Sequence, residues 1–136
     1  MLLMVVGLTA NAQSKKVNTV TPLTYKEFLQ KVWDFEKNPS TFVYKGDLPA
    51  VIDFYADWCG PCRRVSPIME KLAKEYSGKL LIYKVNVEQE GELASAFQVQ
   101  SIPMVLFIPV KGQPSMQVGA MAEEDYRAII EEDLLK

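Results

Sequence analysis

Apolar positions along the chain change their spacing several times, and each change predicts an element. Val17–Val20 fits a short edge strand. Just beyond it, Thr24 and Glu27 have the spacing of a capping box, and Leu23 with Phe28 that of a hydrophobic staple, so a helix is expected to start there. Tyr25, Phe28, Leu29, Val32 and Trp33 extend it at helical spacing until Asn38-Pro39 stops it. Phe42–Lys45 fits no period, and Gly46–Pro49 reads as a turn. Ala50–Ala56 is apolar apart from Asp53, the signature of a strand buried on both faces. From Cys59 the period becomes helical through Val65, Ile68, Met69, Leu72, Ala73 and Tyr76, with Pro67 expected to kink this helix and Ser77-Gly78 to close it. Leu80–Val87 is read as a second central strand, Glu92–Phe97 as a short helix, and Met104–Ile108 as a third strand introduced by Ile102-Pro103. Lys111-Gly112 supplies a hairpin turn into Ser115–Val118. Glu123–Leu135 closes the chain as one amphipathic helix through Tyr126, Ile129, Ile130 and Leu134. The order is β-α-β-α-β-α-β-β-α, an α/β class, with no internal repeat, low-complexity tract or linker, so residues 13–136 are read as one domain.

The start of the chain follows another logic. Leu2–Leu8 is an uncharged apolar run, and Ala10-Asn11-Ala12 in front of Gln13 has the A-x-A form of a cleavage site, so residues 1–12 read as a secretory signal peptide. The competing reading is an extra N-terminal strand or tail. No Lys or Arg precedes Leu2, which suggests a start placed too late within a longer signal. The run is far short of the ~20 residues that span a bilayer, so no permanent membrane anchor is expected, and the location implied is periplasmic or secreted.

Composition narrows the chemistry. With 15 Lys+Arg against 17 Asp+Glu, the net charge of -2 offers no basic field for nucleic acid or an anionic membrane surface. The absence of histidine excludes Ser-His-Asp and Cys-His catalysis, and also His-ligated zinc or haem. At 49% hydrophobic and 24% charged, the chain is expected to pack an ordinary globular core.

The only two cysteines lie in Trp58-Cys59-Gly60-Pro61-Cys62, between a buried strand and a helix. That junction puts Cys59 at the electropositive helix N-terminus, which favours a thiolate, the nucleophilic form. Cys62, one turn on, is near enough to attack a mixed disulfide at Cys59, so the pair can take up and release two electrons by exchange. A zinc site needs four ligands, and two cysteines without histidine do not supply them. A purely structural disulfide would close a very short loop, worth roughly 2 kcal/mol against about 4.7 for a hundred-residue loop. Inert buried thiols would sit oddly with Gly60-Pro61 between them.

Phe54-Tyr55-Ala56-Asp57-Trp58-Cys59-Gly60-Pro61-Cys62 resembles the active-site segment of thioredoxins, and the likeness runs from about Val17 to Leu135. It takes in Asp53, Pro67, Ile102-Pro103, Gly112 and Val118-Gly119-Ala120. The resemblance implies a thioredoxin fold, a central mixed five-stranded sheet flanked by helices. It further implies a protein-disulfide oxidoreductase without a dissociable cofactor or metal. Cys59 would be the exposed attacking thiol, Cys62 the resolving one, and Ile102-Pro103 a cis bond. Substrate would lie in a shallow groove of Trp58, Gly60, Pro61, Ile102, Pro103 and Gly119. Expected partners are disulfide-containing proteins and an upstream electron donor, met by a monomer acting as a reductant. An oxidant or isomerase for exported proteins, or a redox-gated binding module, is the alternative. Departures from the family pattern are Tyr55 where a second Trp is usual, Arg63 where Lys is frequent, Met104 where Thr commonly follows the proline, and a long Asn38–Leu48 segment.

Asp53 interrupts an apolar strand, and a buried carboxylate without a partner shifts toward its neutral form. It would then exchange a proton with Cys62; alternatively it points to the sheet edge or pairs with Lys84, which the resemblance places nearby. Trp58 is expected to be a wall of the site rather than core. Trp33, Tyr25 and Phe28 are read as helix-to-sheet packing. Arg63 and Arg64 either steer acidic partners or form a solvated face, and the acids of the last helix form a solvated face.

Overall fold

A computed structural model describes residues 18–136. The signal-peptide reading of residues 1–12 and the first residue of the expected Val17–Val20 strand lie outside the described residues. The elements are β1 (Thr21–Pro22), α1 (Tyr25–Lys31), β2 (Ala50–Tyr55), α2 (Gly60–Glu75), β3 (Leu81–Asn86), α3 (Gly91–Ala96), β4 (Met104–Ile108), β5 (Ser115–Val118) and α4 (Glu123–Ile129), the last continued by a π-turn over Ile130–Leu134. They build a five-stranded sheet in the order β1-β3-β2-β4-β5. β1 and β2 run parallel to β3, whereas β4 is antiparallel to β2 and β5 to β4. Sheet class, connectivity and the bounds of β4 and β5 are as expected.

Because alternate strand residues face opposite ways, β2 serves two cores. Val51 joins Val65, Met69, Leu72 and Tyr126 beneath α2 and α4, whereas Ala50, Ile52 and Phe54 join Phe28, Val32 and Leu93 beneath α1 and α3. Asp53 and Tyr55 share the face of Val51, the side on which the chemistry assembles.

Besides one-residue shifts in β2 and α3, four elements differ from expectation. The first strand is displaced to Thr21–Pro22 because Val20 and Leu23 are the buried residues, which leaves the two exposed residues between them to pair with Tyr83 and Lys84. α1 ends at Lys31, well short of Asn38. Trp33 and Phe35 continue the apolar pattern as an aromatic cluster with Phe42 and Phe97, at centroid distances of 5.3–6.4 Å. The Trp33 indole N–H points to the carbonyls of Asn38 and Thr41, so the side chain pins the loop that helical spacing alone would have coiled. β3 stops at Asn86, whose side-chain oxygen accepts the N–H groups of Glu88 and Gln89 and turns the chain out of the sheet. The single closing helix is instead α-helix followed by one π-turn, with Leu135 N–H reaching Ile130 O at 3.0 Å. Tyr126, Ile130 and Leu134 are all buried at steps of four residues. At 3.6 residues per turn each such step overshoots the buried face, and the wider i→i+5 turn undershoots it, so the two offsets cancel.

At the start of α1 one half of the capping box forms. Thr24 Oγ1 accepts Glu27 N–H at 3.2 Å, while Leu23 and Phe28 are both buried at the helix entrance. α2 runs unbroken through Pro67 and is followed by Gly78 at φ +82°, a left-handed conformation that glycine adopts without steric cost. Among the described residues no helix is long and apolar enough to cross a membrane.

Candidate active site

β2 leads directly into the Asp57-Trp58 turn, and Cys59 is the N-cap of α2, with extended backbone at φ -80°, ψ 112°. Its sulfur accepts the Cys62 N–H at 3.2 Å, the bond that a Ser or Asp side chain makes at other helix starts. Pro61 occupies the first turn, where its missing N–H costs nothing. Cys59 and Cys62 are joined as a disulfide with Cα atoms 5.3 Å apart.

The family resemblance implies an exposed thiol at Cys59, yet in the disulfide form this residue is only 4% exposed, hardly more than Cys62 at 3%. Capping turns its sulfur inward over the helix end. There it packs with Ala56 and Cys62 beneath Tyr55, Val87 and Ile102, and lies 3.8 Å from the Ile102 carbonyl oxygen.

Around the disulfide, Gly60 and Pro61 are exposed and Ile102 is half-buried. Pro103 is buried, follows a cis peptide bond, and its carbonyl accepts the Gly119 N–H at 2.8 Å. Gly119 has φ +92°, a turn that a side chain would strain. Ile102 thus lies beside the Cys59 sulfur, and Gly119 is bonded to the neighbouring Pro103. Trp58 is 64% exposed and not part of the core, and its indole N–H donates to the Glu88 carboxylate. Sequence reasoning misses Glu88, since nothing in its spacing marks an acid just past β3 as a partner of Trp58. Arg63 does not extend outward as a steering charge. Its Nε and Nη2 both donate to the Asp57 carbonyl oxygen, at 3.2 and 3.0 Å, and brace the turn before the motif. Beside Cys62 a pocket of about 260 Å³ opens, lined by Tyr55, Ala56, Asp57, Cys62, Arg63 and Ser66.

Asp53 is 3% exposed, and its Oδ1 finds no hydrogen-bond partner among the described residues. Burial pushes its carboxyl up to about 7, against a smaller opposing pull from Lys84. β2 is central in the sheet, so Asp53 does not point to an edge. Nor is it paired with Lys84. The two residues are neighbours in the β2–β3 register, but no ion pair forms between them, and the Lys84 ammonium lies 5.9 Å from the Tyr55 ring centroid.

A Cys-x-x-Cys disulfide at the N-terminus of a helix, able to pass between disulfide and dithiol, is the site of a thiol–disulfide oxidoreductase. The family model described as Thioredoxin matches residues 20–132. A thioredoxin of Borreliella burgdorferi is 47% identical over 110 residues, covering 81% of this chain and 93% of that protein. The chloroplastic M-type thioredoxin of Spinacia oleracea is 38% identical over 93 residues, 68% of this chain and 51% of its own length. Thioredoxin 1 of Chlorobaculum tepidum is 52% identical over 63 residues, 46% of this chain and 62% of its own. The chain belongs to the thioredoxin family.

Proposed function

We propose that the chain is a reductant of protein disulfides in which Cys59 attacks, Cys62 resolves and Asp53 moves the proton. The Cys59 thiolate attacks one sulfur of a substrate disulfide. That S–S bond breaks, one substrate sulfur leaves as a thiolate, and a mixed disulfide to Cys59 remains. Asp53 then accepts the Cys62 proton, and Cys62 attacks the Cys59 sulfur and expels the second substrate thiolate. The substrate has gained two electrons and the Cys59–Cys62 pair has lost them, so an external donor must restore the dithiol. The rim of Trp58, Gly60, Pro61, Ile102, Pro103 and Gly119 receives the substrate segment around its disulfide.

The observation that carries the direction is the modest support for the Cys59 sulfur. Among the described residues it has one backbone N–H, from Cys62 at 3.2 Å, and the end of α2. The chain has no imidazolium to add, and Arg63 is committed to the Asp57 carbonyl. Weak stabilisation of the thiolate keeps the reduced form reactive and the potential low. The potential is expected near the roughly -270 mV of reducing dithiols rather than the roughly -120 mV of strong oxidants, a gap of about 7 kcal/mol for two electrons. Equilibration with glutathione or a reference dithiol measures it. A value near the oxidant, or a Cys59 pKa below ~6, would turn the function into disulfide donation.

The apolar run Leu2–Leu8 and Ala10-Asn11-Ala12 support export, with processing before Gln13. Outside the cytoplasm a reductant needs a dedicated donor at the membrane, and its partners are exported proteins with disulfides. Expression with the native upstream region should yield a product whose N-terminal residue is Gln13. Mass-spectrometric recovery of Leu2–Ala12 on an intracellular product would refute the location.

A further inference from the structure

Tyr55 shares its strand with Asp53, and the Lys84 ammonium lies over its ring. Asp53 and Tyr55 lie two residues apart in β2 and so share a face. Lys84 is in register with Asp53 on the adjacent strand, so its flexible stem can bring the ammonium either to the carboxyl or to the ring. The structure shows the second arrangement. The Lys84 Nζ sits 5.9 Å from the Tyr55 centroid, within the reach of a cation–π contact, while Asp53 Oδ1 has no partner among the described residues. Tyr55 also walls the pocket that opens beside Cys62.

We propose that Tyr55 is a positioning residue, which seats the Lys84 ammonium on its ring face and keeps that charge off Asp53, so that the buried carboxyl remains able to take a proton. The inference rests on the reading of Asp53 as the proton acceptor and extends it to the residue that sets its strength. Other groups on this side of the sheet do not substitute for the lysine. α2 brings Cys62, which titrates only when reduced, and α4 brings the Tyr126 phenol, which burial and the Asp53 carboxylate push up and which is neutral at working pH. Val105, the β4 neighbour, has no charge. Lys84 is therefore the only cation among these neighbours, and its position decides how strongly Asp53 is pulled toward the carboxylate.

The test follows the Asp53 carboxyl carbon by NMR through a pH titration of the oxidised protein. The wild-type midpoint is expected near 7. Tyr55→Leu removes the ring face, and the freed ammonium should lower the midpoint by about one pH unit or more. Tyr55→Phe keeps the ring and should leave it in place. In a Lys84→Met background, Tyr55→Leu should no longer lower it. An unmoved midpoint in Tyr55→Leu, an equal fall in Tyr55→Phe, or a fall that persists without Lys84 would each overturn the inference. A measurement on the unaltered chain guards against a misfolded variant. The Lys84 Hε protons should be shifted upfield by the Tyr55 ring current, and their absence from that range would also refute it. The pH profile of resolution separates this inference from the one beneath it. A midpoint that moves while the profile stays put supports Tyr55 as the positioning group and removes Asp53 as the base.

Discussion

Cys59→Ser is expected to lose disulfide exchange entirely, whereas Cys62→Ser should still attack and then stall as a covalent adduct. The reason is the different position of the two sulfurs on α2. Cys59 is the N-cap and its sulfur lies 3.8 Å from the Ile102 carbonyl oxygen, while Cys62 lies one turn inside and lines the pocket beside it. A substrate docked on the rim meets Cys59 first. In Cys62→Ser the cap bond can persist, because it uses the backbone N–H of residue 62 rather than its side chain. Thiolate character at Cys59 should therefore survive the change, and the mixed disulfide should accumulate at close to one per chain. In Cys59→Ser the serine hydroxyl can still cap the helix, so the fold should hold while activity falls to background. Intact-mass analysis after incubation of each reduced variant with an oxidised protein substrate decides it. Adducts on Cys59→Ser and none on Cys62→Ser would reverse the roles. Peptide identification of the trapped partner would also reveal which proteins this chain reduces.

The parts of this fold that can be read in the sequence are those whose cause is local. β4 and β5 match their expected bounds because Pro103, Pro109 and Gly112 interrupt the chain beside a purely apolar run. The start of α1 is legible because a cap and a staple are made by neighbours in sequence. Its end is not, since Trp33 keeps helical spacing yet is held by the carbonyls of Asn38 and Thr41 and by Phe97 far along the chain. The π-turn is equally hidden, because the side-chain pattern of Tyr126, Ile130 and Leu134 suits a plain helix and packing against the sheet selects the backbone register.

The same division runs through the site. Asp53 can be recognised as an anomaly from its apolar neighbours alone. Whether it is paired cannot, because Lys84 is equally placed for a carboxylate or for the Tyr55 ring. The burial of Cys59 and the Trp58–Glu88 bond likewise depend on where side chains turn after the backbone is set. Residue types and spacing thus identify the reacting groups, whereas the groups that tune them are found only once the strands are paired.

Asp53→Asn is expected to make stability less sensitive to pH and, at the same time, to slow resolution. Burial raises the folded-state carboxyl to about 7 from an ordinary value of 3.8. A carboxyl raised on folding favours the native state fully below its unfolded value, and that contribution is lost as pH climbs through the folded one. The window is therefore about pH 4 to 7, and above it the folded protein carries a buried charge with an unpartnered oxygen. A rise of that size corresponds to about 4 kcal/mol, which we take as the upper end of an expected range of about 2–4 kcal/mol. Asparagine has nearly the same shape and does not titrate, so the stability of the variant relative to wild type should rise by that amount between pH 4 and pH 9. Groups elsewhere titrate identically in both proteins and cancel in the comparison. Urea unfolding of the two oxidised proteins at several pH values provides the measurement, and a difference that stays constant with pH would mean that Asp53 ionises normally. The kinetic arm is independent. Loss of a proton acceptor should slow attack by Cys62 on the mixed disulfide, on the order of a hundredfold near neutral pH, and leave attack by Cys59 on substrate unchanged. Stopped-flow resolution of the two steps would separate these effects, and equal slowing of both would reduce Asp53 to a structural residue.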